Sequence, residues 1–510
     1  MLAVQCDRAV WERACRLAAA AAAALAVLAA GCSAHSCGCH LEAQPPCCQT
    51  NMKPLLPSAP GHDVVQASAY QEPVDEKASK ENKPHAPEQL APAKEKIRLS
   101  QAVALCVAQN FRLLATAEKV RQSEAELVTA SVIPNPTLFA DYQLIPLQRA
   151  DIDNQLGPPQ VDTLLSVPID WLLFGKRVAA MQAAQLGIAV TSADYADMHR
   201  QQVANTVDTF YEVLADEEYL KLARKNHEEL QAIEKLTADM VKNNKAGSIE
   251  TDRIKLAVLE AFLEVHERER TLAGAKARLR PLIGRSATDA DFEVEGTLIV
   301  TAVVPPPKLA DALALADAHR PDLVSGRHEI AHSRALVEVQ ERNAKPQVAI
   351  VPGLTYQDQR HINGFRNGSL FDIGISTTLP LTDRNRGNIL RAQAREQEAY
   401  HTYLGDRADA LAEVEATLAN YEDAVEDITQ NNSPVTLKAA HDLRKSAEDA
   451  YGRGDRKLVD LLDAHRAYQE RLAHIIEFEA NYWRTLNKLN MVVGLQAYDA
   501  AKGATVPVGK

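Results

Sequence analysis

Asp460 and Asp463 stand three residues apart, so on a helix their carboxylates share one face. Two carboxylates from each of three copies around an axis would line one constriction. Such a ring favours cations, repels anions and can hold a divalent ion that blocks the passage. The plainer reading makes both residues solvated charges at a helix start, where the helix dipole favours Asp. His328 and His332, four apart, can share a metal on one helix face, but no third ligand accompanies them and a surface pair is the plainer reading. Cys37, Cys39, His40, Cys47 and Cys48 gather soft ligands in one stretch without a repeated zinc spacing. The chain has no P-loop, dinucleotide glycine fingerprint, zinc-protease signature or nucleophile elbow. No enzymatic activity, metal or cofactor is therefore read from it, and energy for any transport has to come from a partner.

The N-terminus carries an address. Arg8, Arg13 and Arg16 precede or flank the start of an apolar run, Leu17 to Ala30, that is too short to span a bilayer comfortably. Small residues then lead into Cys32, and Ala29-Ala30-Gly31-Cys32 resembles a bacterial lipobox, with Ala29 where Leu is more usual. On that reading residues 1–31 are a lipoprotein signal peptide and Cys32 becomes the acylated first residue. An ordinary signal peptide and a single anchor helix are the alternatives. Residues 32–97 then form a lipid-anchored linker, rich in Pro, Ala, Glu and Lys and lacking apolar periodicity. No later segment is a transmembrane helix, so the chain either lies on a membrane surface or closes a β-barrel within it. Aromatic residues make up only 5% of the chain and Ala is abundant, which suits close-packed helices. The net charge of -12 is mild for 510 residues, and no basic tract points to nucleic acid.

The elements that would position these residues come in two copies. Leu99 to Leu138 aligns without gaps to Leu309 to Val348, pairing Ala102 with Ala312, Leu113 with Leu323, Ser123 with Ser333 and Pro136 with Pro346. Val303-Val304-Pro305-Pro306-Pro307 reads as an extended connector. Residues 98–302 and 303–497 are thus two copies of one unit, with 498–510 a tail. Each copy predicts a helix, two strands, a very long helix and a further helix. The opening helix runs from about Leu99 to Val132 along a heptad seam that includes Val103, Cys106, Asn110, Leu113 and Ala117, which makes Cys106 a small buried hydrophobe. From Phe174 to about Asn243 there is no Pro, giving a helix of roughly 100 Å. Ile249 to Ile283 gives roughly 50 Å, so two short helices end to end match one long one. In the second copy Gly387 to Tyr451 is mostly helical, with a break or kink expected at Pro434, and Leu458 to Val493 follows. That last helix carries two adjacent seams, one through Leu461, His465, Tyr468 and Leu472 and one through Leu462, Gln469, Ile476 and Trp483. A helix in a ring needs two such seams.

The strands alternate. Leu138, Ala140 and Tyr142 make one face, as do Thr163, Leu165 and Val167, then Ile350, Pro352, Leu354 and Tyr356, then Phe371, Ile373 and Ile375. An apolar face opposed to a small or polar one suits a strand between lipid and an aqueous lumen; a soluble sheet with one buried face alternates in the same way. Pro352 predicts a bulge or kink. Four strands per chain cannot close a barrel around a channel, whereas three chains supply twelve.

This order behind a lipobox resembles the TolC family of outer-membrane efflux channels over about residues 98–497. Val167-Pro168-Ile169-Asp170-Trp171 with Gly175-Lys176-Arg177, and Leu379-Pro380-Leu381 with Asp383, Arg386 and Gly387, fit its strand exits. The most specific match is Tyr451-Gly452-Arg453-Gly454-Asp455-Arg456-Lys457-Leu458-Val459-Asp460-Leu461-Leu462-Asp463-Ala464, which looks like the second helix–helix turn at the periplasmic tip. Lys245-Ala246-Gly247-Ser248-Ile249-Glu250-Thr251-Asp252 is its partner. The resemblance implies a mainly α fold with a small β part: a trimeric α-helical barrel in the periplasm joined to a 12-stranded β-barrel in the outer membrane. It implies a lipid-anchored homotrimer, a passive duct for small molecules or ions that serves an inner-membrane pump through a periplasmic adaptor docked at the turns around Gly247 and Gly454. It also implies that Tyr451 and Arg456 pair with Asp252 and Thr251 to hold an inner coil to an outer coil, with Asp460 and Asp463 at the aperture. The alternative is a periplasmic coiled-coil structural lipoprotein without a pore.

Overall fold

The computed structural model describes residues 95–143, 160–243, 247–357, 366–431 and 434–494. Cys32, the Cys/His stretch, Lys245, Ala246 and the 498–510 tail lie outside the described residues. Regular structure begins inside the expected linker: β1 (Glu95–Arg98) pairs in parallel with β4 (Phe292–Glu295), burying Ile97 and Phe292. Strands of four residues are too short to leave a periodic trace, so the sequence does not foretell this pair.

The opening helix is two helices, α1 (Leu99–Gln109) and α2 (Phe111–Ser131), rather than the single run that the seam predicts. Asn110 between them is extended and buried, and its side-chain oxygen accepts the N–H groups of Arg112 (2.9 Å) and Leu113 (3.3 Å). An amide that caps a new helix competes well with continuing the old one. The second copy breaks at the matching place, between α6 (Leu309–His319) and α7 (Pro321–Asn343), where Pro321 forces the preceding Arg320 out of the helical region.

Between α2 and the short turn α3 (Asp170–Leu173) lie β2 (Thr137–Gln143) and β3 (Gln160–Pro168). α4 (Lys176–Lys242) is a single helix of 67 residues, about 100 Å long. It packs on α1, α2 and α7, and also on the two 35-residue helices α5 (Ser248–Leu282) and α10 (Leu458–Val492). Its counterpart is broken: α8 (Arg386–Glu426) passes through a π-helical turn at Asp427–Asn431, and α9 restarts at Pro434 and ends at Arg453. The connector between copies is wrapped onto the helices. Tyr421 donates to the Val304 carbonyl (2.7 Å), the Val304 N–H donates to the Tyr482 hydroxyl (3.0 Å), and Trp483 donates to the Leu298 carbonyl (2.8 Å).

β5 (Val348–Gln357) and β6 (Gly368–Thr377) complete an antiparallel sheet in the order β2-β3-β5-β6, with the outer edges of β2 and β6 unpaired among the described residues. Its register places the four apolar stripes on one face. Leu138 lies opposite Leu165, Val161 opposite Tyr356, Thr163 opposite Leu354, and Ile350 opposite Ile375. No core covers this face: Ile373 and Ile375 are 74% and 76% exposed. Pro352 makes no bulge, because its register against β6 is unbroken; the ladder to β3 lapses opposite it, where proline has no N–H to offer.

Candidate functional site

The far end of the helices carries its own small core. Leu230 and Ile233 of α4, Ile254 and Ala261 of α5, Tyr451 of α9, and Leu458 and Leu461 of α10 are all buried together. They sit at heptad spacing, and burying each large apolar side chain contributes about 1.5–3 kcal/mol. Leu230, Ile233, Thr237 and Met240 follow the heptad steps along α4, so one polar residue stands in an apolar seam.

Thr237 is there for Tyr451. The Tyr451 ring is 1% exposed, and its hydroxyl lies 3.1 Å from Thr237 Oγ1 and 3.2 Å from Glu250 Oε2. One phenol thus ties α9 to α4 and α5, and burial first, with the Glu250 carboxylate after it, pushes its ionisation up. Within the single chain no hydrogen bond or ion pair joins Tyr451 or Arg456 to Asp252 or Thr251. From Ser248 onward α5 turns Glu250 and the fully buried Ile254, four residues apart, toward α4 and α9. Thr251 and Asp252 are rotated about 100° and 200° away from Glu250, and Asp252 faces solvent. Arg456, in the turn before α10, is also exposed and among the described residues reaches only Asp460 of that helix, at 3.9 Å. A pair of that kind contributes at most about 1 kcal/mol.

A second tie lies further up the same helices. Glu229 of α4 meets Arg444 of α9 at 3.0 Å and accepts from Gln469 of α10 at 3.1 Å. His465 is buried beside them, with Nε2 2.8 Å from Asn226 Oδ1 and Nδ1 3.8 Å from Glu229. Burial, and after it the Arg444 charge, pushes the His465 pKa down to about 4, so its ring is neutral near pH 7. The seam position of His465 is legible in the sequence; Glu229, Arg444, Thr237 and Glu250 were not singled out there. Thr237 could have been found as the polar interruption of an apolar heptad.

Asp460 and Asp463 both lie on α10, with side chains 49% and 67% exposed. Asp460 accepts the N–H of Lys457 at 3.4 Å, and Asp463 stands 4.0 Å from Arg466. Neither is committed to the tip core, and both carboxylates are exposed in the single chain. The turns differ. Gly454 closes α9 in the left-handed region at φ +87, with its N–H on the Tyr451 carbonyl and that of Asp455 on the Ala450 carbonyl. Gly247 is extended at φ -84, a conformation open to any residue. Elsewhere, Cys106 is buried against the Gln202 carbonyl and its thiol is pushed up by burial, as befits a core residue. His332 pairs with Glu329 of its own helix at 3.5 Å.

The comparisons agree with this architecture. The family model for outer membrane efflux proteins matches residues 312–495. The chain is 25% identical over 380 residues to the cobalt-zinc-cadmium resistance protein CzcC of Cupriavidus metallidurans, covering 74% of this chain and 86% of that one. It is 24% identical over 394 residues to the pyoverdine export outer membrane protein OpmQ of Pseudomonas aeruginosa, covering 71% and 79%. Among solved structures, the outer-membrane channel OprN superposes with a TM-score of 0.65 at 18% identity, over 78% of this chain and 89% of that one. The CmeC outer membrane channel of Campylobacter jejuni does so with a TM-score of 0.64 at 17% identity, over 83% and 96%. The second repeat thus matches the outer membrane efflux protein model, and the chain as a whole shares the fold of solved outer-membrane channels.

Proposed function

We propose that three copies of this chain assemble into a passive outer-membrane duct for a tripartite export system, working with a periplasmic adaptor and an inner-membrane pump. The observation that carries this reading is the sheet. Its two edges are unpaired and one continuous apolar face is exposed, a combination stable only where neighbouring strands close the edges and lipid covers the face. Four strands from each of three chains close a barrel, with the mixed face, including Asp141, Asp162, Asp372 and Ser376, turned to the lumen. A spacer lipoprotein without a pore has no use for such a face. Acylation at Cys32 would add an anchor to the barrel.

At the other end, Tyr451, Thr237 and Glu250 hold the tip shut while Asp460 and Asp463 form the aperture ring. An adaptor docking on the turns around Gly247 and Gly454 opens it by favouring the untied state. The cargo class is small molecules or ions; CzcC and OpmQ are named for metal resistance and for pyoverdine export respectively. Single-channel recording in planar bilayers tests the duct. Discrete cation-selective steps from folded trimers, larger in Tyr451→Phe, support it. Silence from both wild type and variant overturns it.

A further inference from the structure

Both long helices begin against their own dipole. The first turn of a helix favours acidic residues, yet α4 opens on Lys176-Arg177 and α8 opens on Arg386, with Arg384 just before it. Neither has an acid in its first turn. A left-handed residue precedes each helix, Gly175 at φ +66 and Asn385 at φ +59. In the first repeat the charges are answered within the chain. Lys176 donates to Asp170 (2.7 Å) and to the Pro346 carbonyl (3.4 Å). Arg177 donates to the Ser131 carbonyl (2.7 Å) and lies 5.7 Å from the Trp171 ring.

In the second repeat they are not. Among the described residues Arg384, Arg386, Arg391 and Arg395 make no hydrogen bond or ion pair, and all four are exposed. Asp383 of the same loop is occupied with the Asn385 N–H at 2.9 Å, and Glu396 pairs with Arg334 at 2.9 Å. Two uncompensated guanidinium groups at the helix start, with two more over the next two turns, call for an external anion, and a guanidinium matches phosphate best. The neighbouring surface is apolar: Leu379 and Leu381 at the exit of β6 are 66% and 77% exposed, and Leu390 is exposed on the first turns of α8. Leu379 and Leu381 lie next along the chain from the uncovered apolar face of β6.

We infer that this collar binds a phospholipid with an anionic headgroup, drawn from the leaflet that borders the helical half of the molecule. Arg386, on the flank of α8 that carries Leu390, and Arg384 just before it hold the phosphate; Arg391 and Arg395, about 140° and 180° further round the helix from Arg386, add long-range positive charge, and Leu379, Leu381 and Leu390 lie along the acyl chains. A soluble anion has no use for the leucine shelf, and the shelf is continuous with the lipid-facing sheet. The inference rests on the outer-membrane duct reading.

The full-length protein in detergent is titrated with phosphatidylglycerol or phosphatidylcholine, and bound lipid is counted by native mass spectrometry. Phosphatidylglycerol is expected to bind at least about tenfold more tightly, and R384Q/R386Q/R391Q/R395Q is expected to abolish that preference. R253Q/K255Q/K438Q/K445Q, which removes the same charge elsewhere, is expected to keep it. Equal binding of the two lipids, or a preference that survives in the collar variant, overturns the inference. Displacement of phosphatidylglycerol by millimolar inorganic phosphate also overturns it, because that marks a plain anion site. The same preparations are recorded in planar bilayers. Conducting channels without a lipid preference sink this inference alone, whereas silence from both wild type and Tyr451→Phe sinks the duct.

Discussion

Tyr451 shows how much one side chain decides at the tip. Tyr451→Phe keeps the ring in its core and removes both hydrogen bonds, a loss of about 1 kcal/mol or somewhat more with Glu250 ionised. Conductance should rise while the folded trimer persists. Tyr451→Ala leaves a cavity and costs about 3–5 kcal/mol, which should appear as a lowered melting temperature. Thr237→Val should mimic part of the Tyr451→Phe effect, while Asp252→Ala should leave conductance unchanged. If Asp252→Ala opens the channel and Thr237→Val does not, the assignment of partners is wrong. His465 carries a pH dependence with a definite sign. Its folded pKa, about 4, lies below the unfolded value of about 6.5. The stability it contributes is therefore complete above about pH 6.5 and is lost as pH falls toward 4, up to roughly 3 kcal/mol in all. Melting curves from pH 7 to pH 4 should fall more steeply for wild type than for His465→Gln; parallel curves would refute the assignment.

At the scale of elements, the duplication extends to how helices stop. α5 and α10 end in left-handed glycines, Gly284 at φ +73 and Gly494 at φ +84. Each sits under the break in the opening helix pair of its own repeat. A Cβ on Gly284 would meet the Gln109 carbonyl oxygen at 2.6 Å, and one on Gly494 would meet the Arg320 nitrogen at 2.8 Å. The break residues close the contact: Asn110 Nδ2 donates to the Leu282 carbonyl (3.1 Å) and Arg320 Nη1 to the Val492 carbonyl (3.3 Å). Gly284 with Gly494 and Asn110 with Arg320 keep the offset that relates Leu99 to Leu309. Gly284→Ala and Gly494→Ala should each cost more than about 1 kcal/mol, since left-handed strain and backbone overlap add. Gly175→Ala carries strain alone, with nothing within 4 Å, and should cost less in the same denaturant titration.

At the scale of the whole molecule, the sheet is unstable by itself and asks for neighbours. Its two faces should respond oppositely to charge. Ile373→Lys or Ile375→Lys puts an ammonium toward lipid, costing about 2–4 kcal/mol at mid-membrane, and should deplete the heat-resistant oligomer from the membrane fraction. Ser376→Lys, on the opposite face, should insert normally and shift ion selectivity. Equal loss with both substitutions would mean that neither face meets lipid.

The sequence by itself determined the duplication, the lengths of the long helices, the alternating faces of four strands and the location of the tip turns. Each is written in a local period or in an internal offset, and local periods survive any tertiary arrangement. Only the tertiary structure decided the order β2-β3-β5-β6, the break at Asn110, the unbroken strand at Pro352 and the identity of Tyr451's partners. Glu250, Thr251 and Asp252 are adjacent polar residues with nothing local to rank them; the rotation of α5 against α4, set by Ile254 in the core, turns Glu250 inward. Asn110 looks like a seam residue until the Leu282 carbonyl, far along the chain, gives its amide a reason to stop a helix. The four arginines of the collar could be counted from the sequence, but that they stand unanswered depends on where Asp170, Asp383 and Glu396 spend their carboxylates.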